Sequence, residues 1–206
     1  MPTINLADIK PKSLLWVNRP EASSAKGEVF YFSDIGPNGS YWISNGEFWS
    51  PVNGEVVLFS SGVDTSITGT LLETTISTYT LPGGIMSKIG SIDLYVLFSS
   101  TNSASSKSLR IRHSDVGSIA GVQYYNTGFS TISSIQAFCS INSNNSTNQQ
   151  KGYGLFGVSS GLGLTASVLV TNNRDMSLPS DITLTGQLSN TGEFLGVTSW
   201  SVVYRG

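Results

Sequence analysis

Gly90-Ser-Ile-Asp-Leu-Tyr-Val-Leu-Phe98 places Ile92, Leu94, Val96 and Phe98 at alternate positions. A strand turns successive side chains to opposite faces, so this spacing predicts one buried face. The same period recurs to either side. Leu109, Ile111 and His113 alternate with Arg110 and Arg112, and Ile135, Ala137, Cys139 and Ile141 form another inward set. Upstream, Leu72, Thr74, Ile76, Thr78 and Thr80 alternate with Glu73, Thr75, Ser77 and Tyr79 before Pro82-Gly-Gly84. Downstream come Gly121–Asn126, Tyr153–Val158, Leu164/Ala166/Val168/Val170, Ile182/Leu184/Leu188 and Phe194/Thr198/Trp200/Val202/Tyr204. That makes about nine strands after Leu71, with no gap long enough for crossover helices. The chain therefore reads as all-β, and residues 71–206 as an antiparallel β-sandwich of jelly-roll type.

Residues 1–62 read as a separate unit. Pro2, Pro11 and Pro20 punctuate an extended arm to about residue 27. A small β meander follows in Glu28–Ser33, Ser40–Ser44, Glu47–Ser50 and Val56–Phe59, joined at Gly36-Pro-Asn-Gly39, Asn45-Gly46 and Asn53-Gly54. Asn-Gly supplies the positive φ angles of tight hairpins. Ser60-Ser-Gly62 reads as a linker. A unit this small is marginal alone, so its aromatic load predicts packing against the sandwich, a sister chain or a larger particle. Trp16, Tyr41, Trp42, Phe48 and Trp49 are the candidate docking or oligomer contacts.

Composition narrows the function. Of 206 residues 12% are charged, the net charge is −2, and 35 Ser, 18 Thr and 14 Asn supply a hydroxyl and amide surface. Without a Lys/Arg cluster there is no phosphate-neutralising face for nucleic acid. No apolar run reaches the roughly 18–20 residues of a membrane span. One His and one Cys cannot build a zinc site or an intrachain disulfide, and no cofactor is expected.

Several motifs read as structural. His113 continues the Leu109/Ile111 face and reads as a structural or interface residue. Cys139 lies on an inward face. Gly152-Tyr-Gly-Leu-Phe-Gly157 matches the dinucleotide pattern, but a polar tract enters it and a strand leaves, whereas the pyrophosphate needs a helix N-terminus. Glycan cleavage needs two opposed carboxyls, and Glu73, Asp93, Asp115, Asp175, Asp181 and Glu193 are scattered. No catalytic residue is assigned. Tyr124 and Tyr125 with Asn144 and Asn145 form the candidate glycan or partner surface, rings for stacking beside amides for hydrogen bonding. Arg110 and Arg112 share one outward face.

Two segments resemble bacteriophage proteins. Ser33-Asp-Ile-Gly36, Gly39-Ser-Tyr-Trp-Ile-Ser-Asn-Gly46 and Trp49-Ser-Pro-Val-Asn-Gly54 resemble a short module near the N-terminus of many tailed-phage virion proteins. Glu73-Thr-Thr75, Tyr79–Met86 and Ser99–Arg112 resemble the jelly-roll body of small phage structural proteins. The resemblance implies a non-enzymatic virion component, often homotrimeric, on the surface of tail or head. Residues 1–60 would then contact other virion proteins, and 71–206 would be exposed for host adhesion, with host glycan as a partner. Head decoration is the alternative, and a small polysaccharide-degrading enzyme a third.

Overall fold

The computed structural model describes residues 11–157 and 169–206. Residues 1–10 of the expected arm, and Leu164, Ala166 and Val168 of one expected strand, lie outside them. Fifteen strands form among the described residues. A small sheet at the N-terminus has the order β1 (Lys12–Leu14), β2 (Val29–Phe32), β3 (Ser40–Ser44), β4 (Trp49–Pro51). Next along the chain come β5 (Glu55–Ser61), β6 (Thr65–Thr68), β7 (Thr74–Leu81), β8 (Ser91–Ser100), β9 (Lys107–Ser114) and β10 (Val122–Phe129). Then follow β11 (Ser134–Ser143), β12 (Gln150–Gly157), β13 (Val170–Asn172), β14 (Ser180–Leu188) and β15 (Phe194–Arg205).

These form two antiparallel layers of a jelly-roll-like sandwich. One sheet runs β10-β9-β14-β7; the other runs β13-β12-β11-β8-β15-β5, with β6 also paired to β15. The fold is all-β, as the alternation predicts. Ile92, Leu94, Val96 and Phe98 are buried, and so are Ile135, Ala137, Cys139 and Ile141 on the neighbouring strand.

The N-terminal unit differs from the sequence reading in three respects. The strand expected to close the meander, Val56–Phe59, lies in β5 and pairs with β15 of the large sheet. Ser60 and Ser61, read as linker, belong to that strand. Residues 11–27 are not a loose arm: β1 adds in parallel to β2, and short 3-10 turns over Trp16–Asn18 and Ala22–Ala25 bury Trp16, Ala22 and Ala25. One apolar cluster runs from this module into the sandwich. Trp42, wholly buried, stacks on Tyr204 of β15 with ring centroids 5.4 Å apart. Trp16 Nε1 donates to the Gly83 carbonyl at 3.0 Å. Burying one such indole removes about 150–250 Å² from water, about 4–6 kcal/mol of gross transfer free energy.

The Asn45-Gly46 joint works otherwise than expected. Only Gly46 takes a positive φ, of 94°. The Asn45 side chain instead accepts the backbone N–H groups of Glu47 and Phe48 at 2.8 and 2.9 Å, closing the turn as an Asx motif.

Candidate functional site

The sequence-derived surfaces change once their burial is known. Tyr124 and Tyr125 are both in the core, so they form no surface with Asn144 and Asn145. A β-bulge at Tyr124 causes this: Gln123 pairs with Arg112 and Tyr125 with Ile111, so two consecutive rings turn inward. They lie over Gly152 and Gly154 of β12, where any Cβ would collide with a tyrosine ring. The glycine pattern is thus a clearance for the tyrosines within a strand. Burial pushes both phenols up. Asn144 and Asn145 are exposed on the β11–β12 turn, with Asn145 at φ 55°.

Of the proposed docking residues, Trp16, Trp42 and Trp49 are consumed inside the chain. Trp16 and Trp42 fasten the module to the sandwich, while Trp49 packs on Phe30 and Phe32 within the module. Phe48 is half-buried, lining a cleft of about 330 Å³ between module and sandwich with Val17, Glu47, Lys88 and Met176. Tyr41 is 52% exposed and packs at 5.1 Å on Tyr31.

Each acid weighed for catalysis is engaged by partners of its own, and for all but Asp175 these include residues far along the chain. Glu73 receives Arg112 Nε at 2.7 Å and the Thr185 hydroxyl at 2.6 Å. Burial pushes the Glu73 carboxyl up, but these bonds and the Arg110 charge outweigh it and hold it below the usual carboxylate range. The pair Arg110 and Arg112 is therefore tied down over the four-stranded sheet. Asp93 pairs with Arg205 and accepts from Ser140. Asp115 meets Arg174 at 2.7 Å, Asp181 accepts from Thr80 and Gly117, and Asp175 accepts the Ser177 N–H. Glu193 is bonded to buried Lys107 at 2.8 Å, which with Ser103 holds its carboxyl low. His113 bonds Ser180 at 2.9 Å, but both are buried, so substrate has no path to the pair. The Cys139 thiol is buried and its pKa raised by that burial. Among the described residues, no three or more His, Cys, Asp or Glu gather as a metal site, and no helix is long and apolar enough to cross a membrane.

What remains is the outer face of the seven-stranded sheet. The residues between its inward positions point out: Tyr95 and Leu97 on β8, Gln136 and Phe138 on β11, Tyr153 on β12, Ser199 and Ser201 on β15. Tyr95 is 45% exposed and Leu97 37%. The Tyr95 and Phe138 rings lie 5.2 Å apart, and Phe138 and Tyr153 6.2 Å apart. A groove of about 290 Å³ runs beside Tyr95 and Phe138, away from Tyr153, edged by Ser60, Ser61, Gln136, Ser199 and Ser201. The sequence reading missed these rings. Their signal was there: Tyr95 alternates with Leu94 and Val96, and Phe138 with Ala137 and Cys139, so each is an aromatic out of phase with the buried set of its strand.

Fold and face together define a β-sandwich with an aromatic, hydroxyl-edged contact face on its larger sheet. No protein-family model and no curated protein sequence matches the chain. Among solved structures it is similar to a Lotus tetragonolobus seed lectin, with a TM-score of 0.36, 9% identity, 72% of this chain and 98% of that one covered. It is similar to lectin I of Ulex europaeus (in complex with a methyl glycoside of α-L-fucose), with a TM-score of 0.36, 11% identity, 86% and 97% covered. It is also similar to arcelin-5, a lectin-like defence protein from Phaseolus vulgaris, with a TM-score of 0.39, 11% identity, 86% and 97% covered.

Proposed function

We propose that the chain is a non-enzymatic surface protein of a bacteriophage virion that adheres to host glycan through the outer face of its seven-stranded sheet, assembling as a homotrimer. The observation that carries the adhesion reading is the row Tyr95, Phe138 and Tyr153 beside a hydroxyl and amide rim. Aromatic faces pack against the C–H side of a sugar ring while nearby hydroxyls and amides bond its OH groups. The opposite outer face, tied up by Glu73 with Arg110 and Arg112, offers nothing comparable. The phage setting rests on the resemblance of residues 27–54 and 73–112. Virion contact falls to apolar side chains that the module leaves exposed, among them Tyr41 and Ile43 beside Tyr31, with Leu15, Val17 and Val52.

A glycan array with the purified oligomer tests adhesion. Binding by the native protein, lost in a Tyr95→Ala/Phe138→Ala variant of unchanged thermal stability, is the expected result. Absence of binding across host-surface glycans overturns it. Antibody labelling of intact virions is expected on the tail; labelling confined to the head supports decoration instead.

A further inference from the structure

We infer that the outer face of the seven-stranded sheet takes a neutral, extended polysaccharide along its length, the sugar chain crossing the strands with one sugar unit over each aromatic rung. This deepens the adhesion reading and rests on it. The rungs stand on three adjacent strands, Tyr95 on β8, Phe138 on β11 and Tyr153 on β12, with centroid spacings of 5.2 and 6.2 Å. Adjacent strands lie about 4.8 Å apart, and a pyranose unit advances an extended chain by a comparable length. The ladder thus repeats at the pitch of a glycan backbone rather than offering one ring to one sugar.

The shape of the site agrees. From Tyr95 and Phe138 it continues over β15 to β5 as a shallow groove of about 290 Å³, at the low end for an enclosed ligand pocket, with Tyr153 beyond its other end. An open groove passes internal units of a polymer, whereas a pit selects a chain end. Its charge agrees as well. The groove edge is Ser60, Ser61, Gln136, Ser199 and Ser201, all uncharged. At the end of β15, Arg205 is bound by Glu55 at 3.2 Å and by Asp93, so its charge is already answered. The guanidinium beside the rings also donates to the Tyr95 hydroxyl at 3.5 Å, so with Glu55 and Asp93 it is engaged and offers a polyanion no free fork, and the exposed Lys151, two positions before Tyr153, is a point charge without that fork.

Isothermal titration of the full-length protein decides it. The probes are neutral gluco-, xylo- and manno-oligosaccharides of one to six units, with alginate and polysialic acid as anionic polymers. For at least one neutral series, affinity is expected to rise at least tenfold from one unit to three and then level off. Both anionic polymers are expected to bind at least tenfold more weakly, and raising NaCl from 50 to 500 mM to change neutral binding less than twofold. Tyr95→Leu and Phe138→Leu keep apolar area but remove the flat ring, and each is expected to cost at least tenfold. Val116→Ala, on the exposed turn between β9 and β10 of the other sheet, is expected to cost nothing. Preference for anionic polymers, or full affinity for a monosaccharide, overturns this inference while leaving glycan adhesion standing. No binding to any glycan overturns both. Unchanged binding in both leucine variants, with dissociation of the oligomer, makes the face a contact between copies and overturns the inference.

Discussion

His113 carries no charge at pH 7, because burial lowers its pKa to about 3, helped by the Arg174 charge and opposed by Asp115 and Asp181. An unfolded histidine titrates near 6.5. Between those values the unfolded chain binds one proton more, so stability is present above about pH 6.5 and is lost as pH falls. The steepest slope is up to about 1.4 kcal/mol per pH unit. Between pH 5 and 6.5 this residue should dominate, since Glu73, Asp175 and Glu193 are held low and take up protons later. Urea midpoints should therefore fall on acidification in the native protein and stay nearly flat across this window in His113→Gln. Equal slopes in the two proteins would show that His113 is solvated. The inward placement of His113 was legible from its step after Leu109 and Ile111. Its hydroxyl partner Ser180 was not, because the two lie 67 positions apart and meet only when β9 pairs with β14.

Strands were legible wherever the period of two ran unbroken, as in β8, β9 and β11, and misread where a bulge changed its phase. On β15 the sequence suggests Phe194, Thr198, Trp200, Val202 and Tyr204 as one face. A register shift between Val197 and Ser199 instead buries Leu195 and Val197 before it and Trp200, Val202 and Tyr204 after it, leaving Phe194 exposed. On β7 a shift across Ile76 moves the inward face from Ile76 to Tyr79 and Leu81 and turns Tyr79 toward Phe59 at 5.0 Å, while Leu72 falls before the strand and is exposed. A bulge adds one residue without a composition signal of its own. The module was misplaced for a related reason. Strand pairing across 150 positions, as between Glu55 and Arg205, leaves no local trace. Because the cluster is continuous through Trp42 and Tyr204, Trp42→Ala should lower stability by about 3–5 kcal/mol. Native urea unfolding followed by tryptophan fluorescence and by circular dichroism should show one shared transition. Two separate transitions, with the second unmoved by Trp42→Ala, would make the module an independent unit.

The whole molecule sets an ion-paired, largely self-satisfied face over β9, β14 and Glu73 opposite an aromatic face over β8, β11 and β12. Between them lies an interior whose tyrosines, thiol and imidazole are packed rather than exposed. On the function proposed above, a carbohydrate is held on the aromatic face with little ionic help. Hydroxyl-radical footprinting of the full chain, with and without a bound neutral oligosaccharide, locates contact side chain by side chain. Protection of Tyr95, Phe138 and Tyr153, with Tyr41 and Phe48 oxidised as before, is the result this account predicts. Protection at Phe48 and Met176 in the cleft beside the module, with Tyr95 and Phe138 unchanged, would contradict it.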